Sequence, residues 1–192
     1  MVVSVWRVRA EDLPSWSLPT GVRPWVVRRR VTLVTFWVDY RPGGVLTYRE
    51  FLIALAVRRG HRLAGSTVAA WVDDDRALTG GRTLWGIPKE QGVFALRADS
   101  RSTRAELTAD GTSLRFAYHD VLRLPFRLRA RAHLIEQLSD GTECRVPMRI
   151  SGRLALGRGR VSTGPKAPLS VLARHRPVLS LAVRDFRSTV GS

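Results

Sequence analysis

The chain has 192 residues, 44% of them hydrophobic, a formal net charge of +16 and one cysteine, Cys144. A chain of this length buries about 70% of its unfolded surface as one domain, spanning residues 1–192, and a single cysteine excludes an intramolecular disulfide, which fits a reducing, cytoplasmic setting. His61, His119, His133 and His175 are scattered, with no cysteine or carboxylate at ligand spacing, so no metal site is expected.

The charge invites nucleic acid as a partner, because basic chains gain affinity for phosphates by releasing counterions. The arginines, however, run along nearly the whole chain and often alternate with apolar residues, as in Arg127-Leu128-Arg129-Ala130-Arg131. That pattern places them on solvated strand faces, and nucleic acid is expected as a non-specific partner at most.

The dominant period is two. Met1–Arg9 reads as a first strand: its basic residues follow a short apolar run, not the order of a signal peptide. Glu11-Asp12-Leu13-Pro14 starts a weak helical turn that Pro14 and Pro19 keep short. Val31–Val38, Leu46–Val57, Ser66–Val72, Gly92–Ala98 and Val178–Phe186 are rich in β-branched and aromatic residues and read as strands. The longest clear apolar run, Leu52–Val57, falls far short of the roughly 20 residues a membrane helix needs, so no membrane partner is expected.

Asp73, Asp74 or Asp75 caps a short helix through Arg76-Ala77-Leu78 that ends at Gly80-Gly81; the alternative, Mg²⁺ on the acidic run, lacks a nearby phosphate-binding loop. Asp110-Gly111 and Asp140-Gly141 mark hairpins, since Asp-Gly supplies the positive φ angles a tight turn requires. Pro42-Gly43-Gly44 and Gly157-Arg158-Gly159 mark further turns, and the Gly- and Pro-rich residues 151–170 read as one extended loop. The fold class expected is mainly β with a few short helices, an antiparallel sheet curled into a barrel or sandwich.

Of 32 basic residues only two are lysines, Lys89 and Lys166. Lysine differs from arginine in that it can lose a proton and attack a carbonyl. Lys166, between Pro165 and Ala167, reads as a solvated loop residue. Lys89 follows Trp85, Gly86, Ile87 and Pro88: apolar walls that disfavour an ammonium, and a glycine that admits a substrate or a backbone.

The segment Gly81-Arg82-Thr83-Leu84-Trp85-Gly86-Ile87-Pro88-Lys89 resembles the Gly-Arg-Glu-x-x-x-x-Pro-Lys signature of the acetoacetate decarboxylase family, whose Schiff-base lysine matches Lys89. Glu50, in Leu46-Thr47-Tyr48-Arg49-Glu50, matches the family's active-site glutamate in type and in its spacing to the lysine, 89 − 50 = 39. Val178–Phe186 is also similar to the family's last strand. The resemblance implies a single-domain antiparallel β-barrel or cone that buries the lysine, a homo-oligomer, a small oxo acid as substrate and no dissociable cofactor. It assigns catalysis to Lys89 and Glu50, and it makes Tyr48, Arg82, Trp85 and Arg28 the substrate-binding candidates, with Arg30 a further carboxylate clamp.

Two positions depart from the family pattern. Glu90 follows Lys89 where the founding enzymes carry a second lysine, and an extended backbone would point it away from the pocket. The family's N-terminal arginine would fall near Val3, where this chain has none. Decarboxylation of a β-keto acid, a related aldol or dehydration reaction on a 2-oxo acid, and non-catalytic binding of a small carbonyl or carboxylate ligand therefore stay open.

Overall fold

The computed structural model describes residues 1–164 and 169–191; Lys166 lies outside them. In chain order the elements are β1 (Val2–Arg9), a 3₁₀ turn (Ala10–Asp12), β2 (Arg23–Pro24), β3 (Arg30–Tyr40), β4 (Tyr48–Arg59), β5 (Arg62–Val72), α1 (Asp75–Trp85), β6 (Lys89–Gln91), β7 (Val93–Ala98), β8 (Ser102–Ala109), β9 (Thr112–Gln137), β10 (Glu143–Thr163), α2 (Ser170–Ala173) and β11 (Leu179–Val190). All the strands belong to one sheet with the order β6-β5-β4-β3-β1-β11-β10-β9-β8-β7, and β2 pairs with β4. The sheet is mixed: β6 runs parallel to β5, and one parallel bridge, Gly65 to Leu134, returns β5 to β9. The protein is mainly β, as its period-two sequence requires.

Each strand with alternating character buries one face. Along β1, Val2, Ser4, Trp6 and Val8 are buried while the residues between them are half-buried. In the main core Trp37 stacks on Phe116 with centroids 5.6 Å apart and meets Phe51 at 4.4 Å. Trp6 is wholly buried, and its indole N–H donates to Thr35 Oγ1 at 3.1 Å, so a large apolar ring enters the core without an orphaned donor. The opposite face of the same strands carries a smaller cluster of Leu52, Ala54, Ala70, Ile87, Leu134 and Val146, with Phe36, Trp85, Met148 and Val190 at its margin. β4 is covered on both sides, which is why its sequence reads as an unbroken apolar run.

Three expectations need correction. Residues 165–168 of the expected loop lie outside the described residues, and residues 151–163 are strand and not loop, because β10 continues to Thr163. Its glycines sit where neighbours press in: a Cβ on Gly159 would lie 2.6 Å from Ser180 Oγ, and Gly152 and Gly157 are closed in by Val183 and by His119 and Tyr118. Glycine in this strand marks close approach, not a turn. The helix does not end at Gly80-Gly81 but runs through them to Trp85, where Gly86, at φ 67°, adopts the left-handed conformation that terminates it. Asp74 is its cap, accepting from the Ala77 amide at 2.9 Å. The segment at Glu11 forms only the 3₁₀ turn. The hairpin at Asp110-Gly111 forms as read, a two-residue turn between Ala109 and Thr112 with φ of 47° and 71°.

Candidate active site

Register brings the two candidate residues together. On β5, Val72 stands opposite Glu50 of β4, and Ala70 stands opposite Lys89 of β6. Val72 and Ala70 are two residues apart and share a face, so Glu50 and Lys89 project from the strands on either side of β5 toward that same face. Their Cα atoms are about 12 Å apart, two strand spacings across and two residues along, a gap that two long side chains close. Lys89 Nζ lies 2.8 Å from Glu50 Oε1, and the side chains are only 3% and 7% exposed.

Helix α1 makes room for the lysine. Gly81 is buried in the helix, and a Cβ there would lie 2.5 Å from Lys89 Cδ and 2.6 Å from Cε. Gly81, read from the sequence as part of a helix end, is instead the position over which the lysine stem passes. The turn beyond the helix is equally tight: Ile87 N donates to Gly81 O at 3.0 Å, and Lys89 N to Ile87 O at 2.8 Å.

Two tyrosines complete the site. Tyr40, the last residue of β3, stands opposite Tyr48, the first of β4, and their rings stack with centroids 4.5 Å apart. Tyr40 Oη donates to Glu50 Oε2 at 3.2 Å, so Glu50 has one oxygen on the phenol and the other on the ammonium. Lys89 Nζ also lies 5.2 Å from the Tyr48 ring centroid, within reach of its negative face. Phe186 of β11 meets Tyr40 edge-on at 5.8 Å. Burial first, and then the negative charge of Glu50, pushes both phenols above their ordinary range. Both remain protonated at neutral pH, which keeps Tyr40 a hydrogen-bond donor.

The sequence-level candidates divide. Lys89, Glu50 and Tyr48 are brought together. Arg82 is exposed on α1, and its Nε donates to the Lys89 carbonyl at 2.7 Å: it holds the backbone of β6 and does not reach the amine. Trp85, at the end of α1, packs half-buried against the smaller cluster, with Gly191 against its indole. Arg28 is not brought to the pair. It lies exposed in the tight turn before β3, at φ 51°, while Glu50 registers with Val38 near the other end of that strand, about 26 Å away. Arg30, at the same end, donates to the Arg7 carbonyl. Among the described residues no arginine pairs with Glu50.

Glu90 is exposed and registers with Trp71, so alternation turns it to the other face, as the extended backbone led one to expect. Asp73 is not the cap. It accepts from the Arg49 amide at 2.6 Å and from its guanidinium at 3.2 Å, bracing the strand that carries Glu50. Sequence reasoning missed Tyr40 and Gly81. The signal for Tyr40 was its symmetric placement with Tyr48 about the Pro42-Gly43-Gly44 turn.

A scan of family models matches residues 18–126 to acetoacetate decarboxylase, a span of more than half the chain that contains Tyr40, Tyr48, Glu50, Gly81 and Lys89. Among curated proteins no significant match is found. Among solved structures, the enduracididine biosynthesis enzyme MppR complexed with pyruvate is 18% identical, with a TM-score of 0.64 over 100% of this chain and 87% of that one. The acetoacetate decarboxylase of Legionella pneumophila is 16% identical, with a TM-score of 0.59 over 98% and 81%. An acetoacetate decarboxylase-like enzyme from Sphingomonas wittichii RW1 is 14% identical, with a TM-score of 0.62 over 100% and 88%. The likeness to these structures is one of fold; the family match rests on the sequence, and it falls on the segment that builds the buried pair. The chain belongs to the acetoacetate decarboxylase family.

Proposed function

We propose that the protein is a Schiff-base lyase that decarboxylates a small β-keto acid through an iminium on Lys89, using no cofactor. The observation that carries this reading is the sealed contact of 2.8 Å between Lys89 Nζ and Glu50 Oε1. Glu50 takes a proton from the ammonium, and the neutral amine adds to the ketone carbon. The resulting carbinolamine takes that proton back from Glu50 and loses water to give the iminium. The electron pair of the bond to the carboxylate carbon then moves toward the cationic nitrogen, and CO₂ leaves an enamine. A proton taken up from solvent and delivered to carbon through Glu50 regenerates an iminium, and water releases the ketone and the lysine ammonium. Tyr40, bonded to the second oxygen of Glu50, orients that carboxylate through the cycle.

A second reading, aldol condensation or dehydration of a 2-oxo acid on the same lysine, is supported by the likeness of the fold to MppR, an enzyme complexed with pyruvate. The reading also includes a cytoplasmic homo-oligomer, supported by the exposed Val121, Leu122, Phe126 and Leu128 on β9, apolar surface that a second copy would cover.

The test is turnover of acetoacetate, and of pyruvate with an aldehyde, by the native protein and by Lys89→Ala and Glu50→Gln. Lys89→Ala is expected to abolish both reactions, and Glu50→Gln to slow the active one by about 10²–10⁴-fold. Full turnover by Lys89→Ala would refute the reading. A native protein that binds these ligands reversibly and turns over neither would make it a binding protein on the same fold.

A further inference from the structure

The outer face of the β7–β8–β9–β10 sheet carries an arginine-walled cleft that the lyase reading does not use. Its volume is about 630 Å³, and its lining includes Arg97, Arg104, Arg115 and Arg160 with Glu106. Two neighbouring rows of the ladder build it. One runs Ala95, Glu106, Arg115, Ser162 across the four strands, and the next runs Arg97, Arg104, Ala117, Arg160. These residues alternate with Phe94, Ala105, Phe116 and the other side chains that face the core, so they all stand on the outer surface.

Three features set this surface apart from ordinary solvated charge. Glu106 is already engaged: it accepts from Arg115 Nε at 3.0 Å and from Ser113 Oγ at 3.1 Å. Four arginines against that one carboxylate leave a net charge of +3, and among the described residues no carboxylate pairs with Arg97, Arg104 or Arg160. Arg97 and Arg104 also stand directly opposite each other, a like-charge pair that weakens the sheet unless an anion lies between the two guanidiniums. Finally, Ala117 separates Arg104 from Arg160 by about 10 Å, and Ala95 and Ser162 are small, so the centre of the cationic row is empty space with no aliphatic stem across it. Guanidiniums grip phosphate oxygens by paired hydrogen bonds, and a spacing of this size accommodates two linked phosphates.

We propose that this cleft binds a compact polyphosphate group, either inorganic pyrophosphate or the diphosphate of a nucleotide, on Arg97, Arg104 and Arg160. The site lies on the opposite side of the strands from the core and is independent of Lys89. The stretch Arg127, Arg129 and Arg131 farther along β9 is equally exposed and arginine-rich, and it serves as the internal control for charge alone.

The experiment is titration calorimetry of the full chain at 150 mM salt with pyrophosphate, ADP and adenosine. The native protein is compared with Arg97→Gln/Arg104→Gln/Arg160→Gln and with Arg127→Gln/Arg129→Gln/Arg131→Gln, each checked for an unchanged thermal unfolding midpoint. The expected result is one pyrophosphate per chain, affinity reduced about tenfold or more by the first triple variant and less than threefold by the second. ADP binding like pyrophosphate, with adenosine silent, would make the nucleotide diphosphate a competent source of the group; ADP silent while pyrophosphate binds would restrict the site to the inorganic ion. Equal losses in the two variants would overturn the proposal in favour of general polyanion attraction. So would the absence of saturable pyrophosphate binding, including the case in which a single-stranded oligonucleotide binds instead.

Discussion

The two faces of β4 are both buried, yet they bury different chemistry. One presents Phe51, Ile53 and Leu55 to the tryptophan-rich core; the other presents Glu50, Leu52 and Ala54 to the smaller cluster beneath α1 and β6. The first face has no charge to satisfy, and its packing stabilises the fold. The second holds an ion pair that costs desolvation and that an apolar pair of similar size would replace without loss. The sheet keeps an uncharged core on one buried face and an ion pair on the other, across the thickness of a single strand.

That separation can be broken from either side. Phe51→Ala should lower unfolding stability by about 3–5 kcal/mol in a denaturant titration, while the fraction of folded protein that forms a lysine adduct stays unchanged. On the other face, Glu50→Gln alone leaves Lys89 buried without its partner and should cost about 3–5 kcal/mol, whereas Glu50→Leu with Lys89→Met should be neutral or more stable by about 1–4 kcal/mol. A double variant as unstable as the single one would mean that the pair itself holds the fold together.

A buried carboxylate elsewhere in the sheet sharpens the contrast. Among the described residues no cation pairs with Glu136; it accepts from the Thr67 amide at 2.7 Å and from Ser66 Oγ at 3.4 Å, close to the bridge that joins β5 to β9. Burial, opposed in part by those donors, raises its pKa from 4.5 to about 7. The folded state then holds this proton more tightly than the unfolded chain, so stability falls as pH rises from about 4.5 to 7, by up to about 3 kcal/mol. Glu136→Gln should flatten that part of the stability profile; an unchanged slope would assign the dependence to other groups. The smallest expected change in stability is at Gly81. Alanine there gains about 0.5–1 kcal/mol of helix preference but meets the lysine stem, so Gly81→Ala should cut the rate of adduct formation at least tenfold with a thermal midpoint close to native. A native adduct rate would show that the stem has another path.

How much of this was legible in the sequence depended on how local the cause was. The Asp110-Gly111 hairpin was readable because two consecutive residues fix both positive φ angles. The strands were readable from alternation, and Lys89 and Glu50 from a motif and a spacing. The return of β5 to β9 was not, because a single bridge between Gly65 and Leu134 leaves no pattern in either segment. The glycines of β10 misled because glycine serves both turns and close packing, and only the neighbours Ser180, Val183 and Tyr118 decide which. Arg28 was chosen by side-chain type among thirty arginines, and the register of β3 put it at the wrong end. Tyr40 had no local signal beyond its place across the turn from Tyr48, since its role arises only when the two strands pair.

The most direct test of the account is reduction with sodium borohydride in the presence of acetoacetate and of pyruvate, followed by intact-mass measurement and peptide mapping. The account predicts one adduct per chain, confined to the peptide containing Lys89 and absent in Lys89→Arg, with a mass that reveals whether CO₂ had already left. Folded native protein that gives no adduct with either acid, or an adduct that persists in Lys89→Arg, would contradict it.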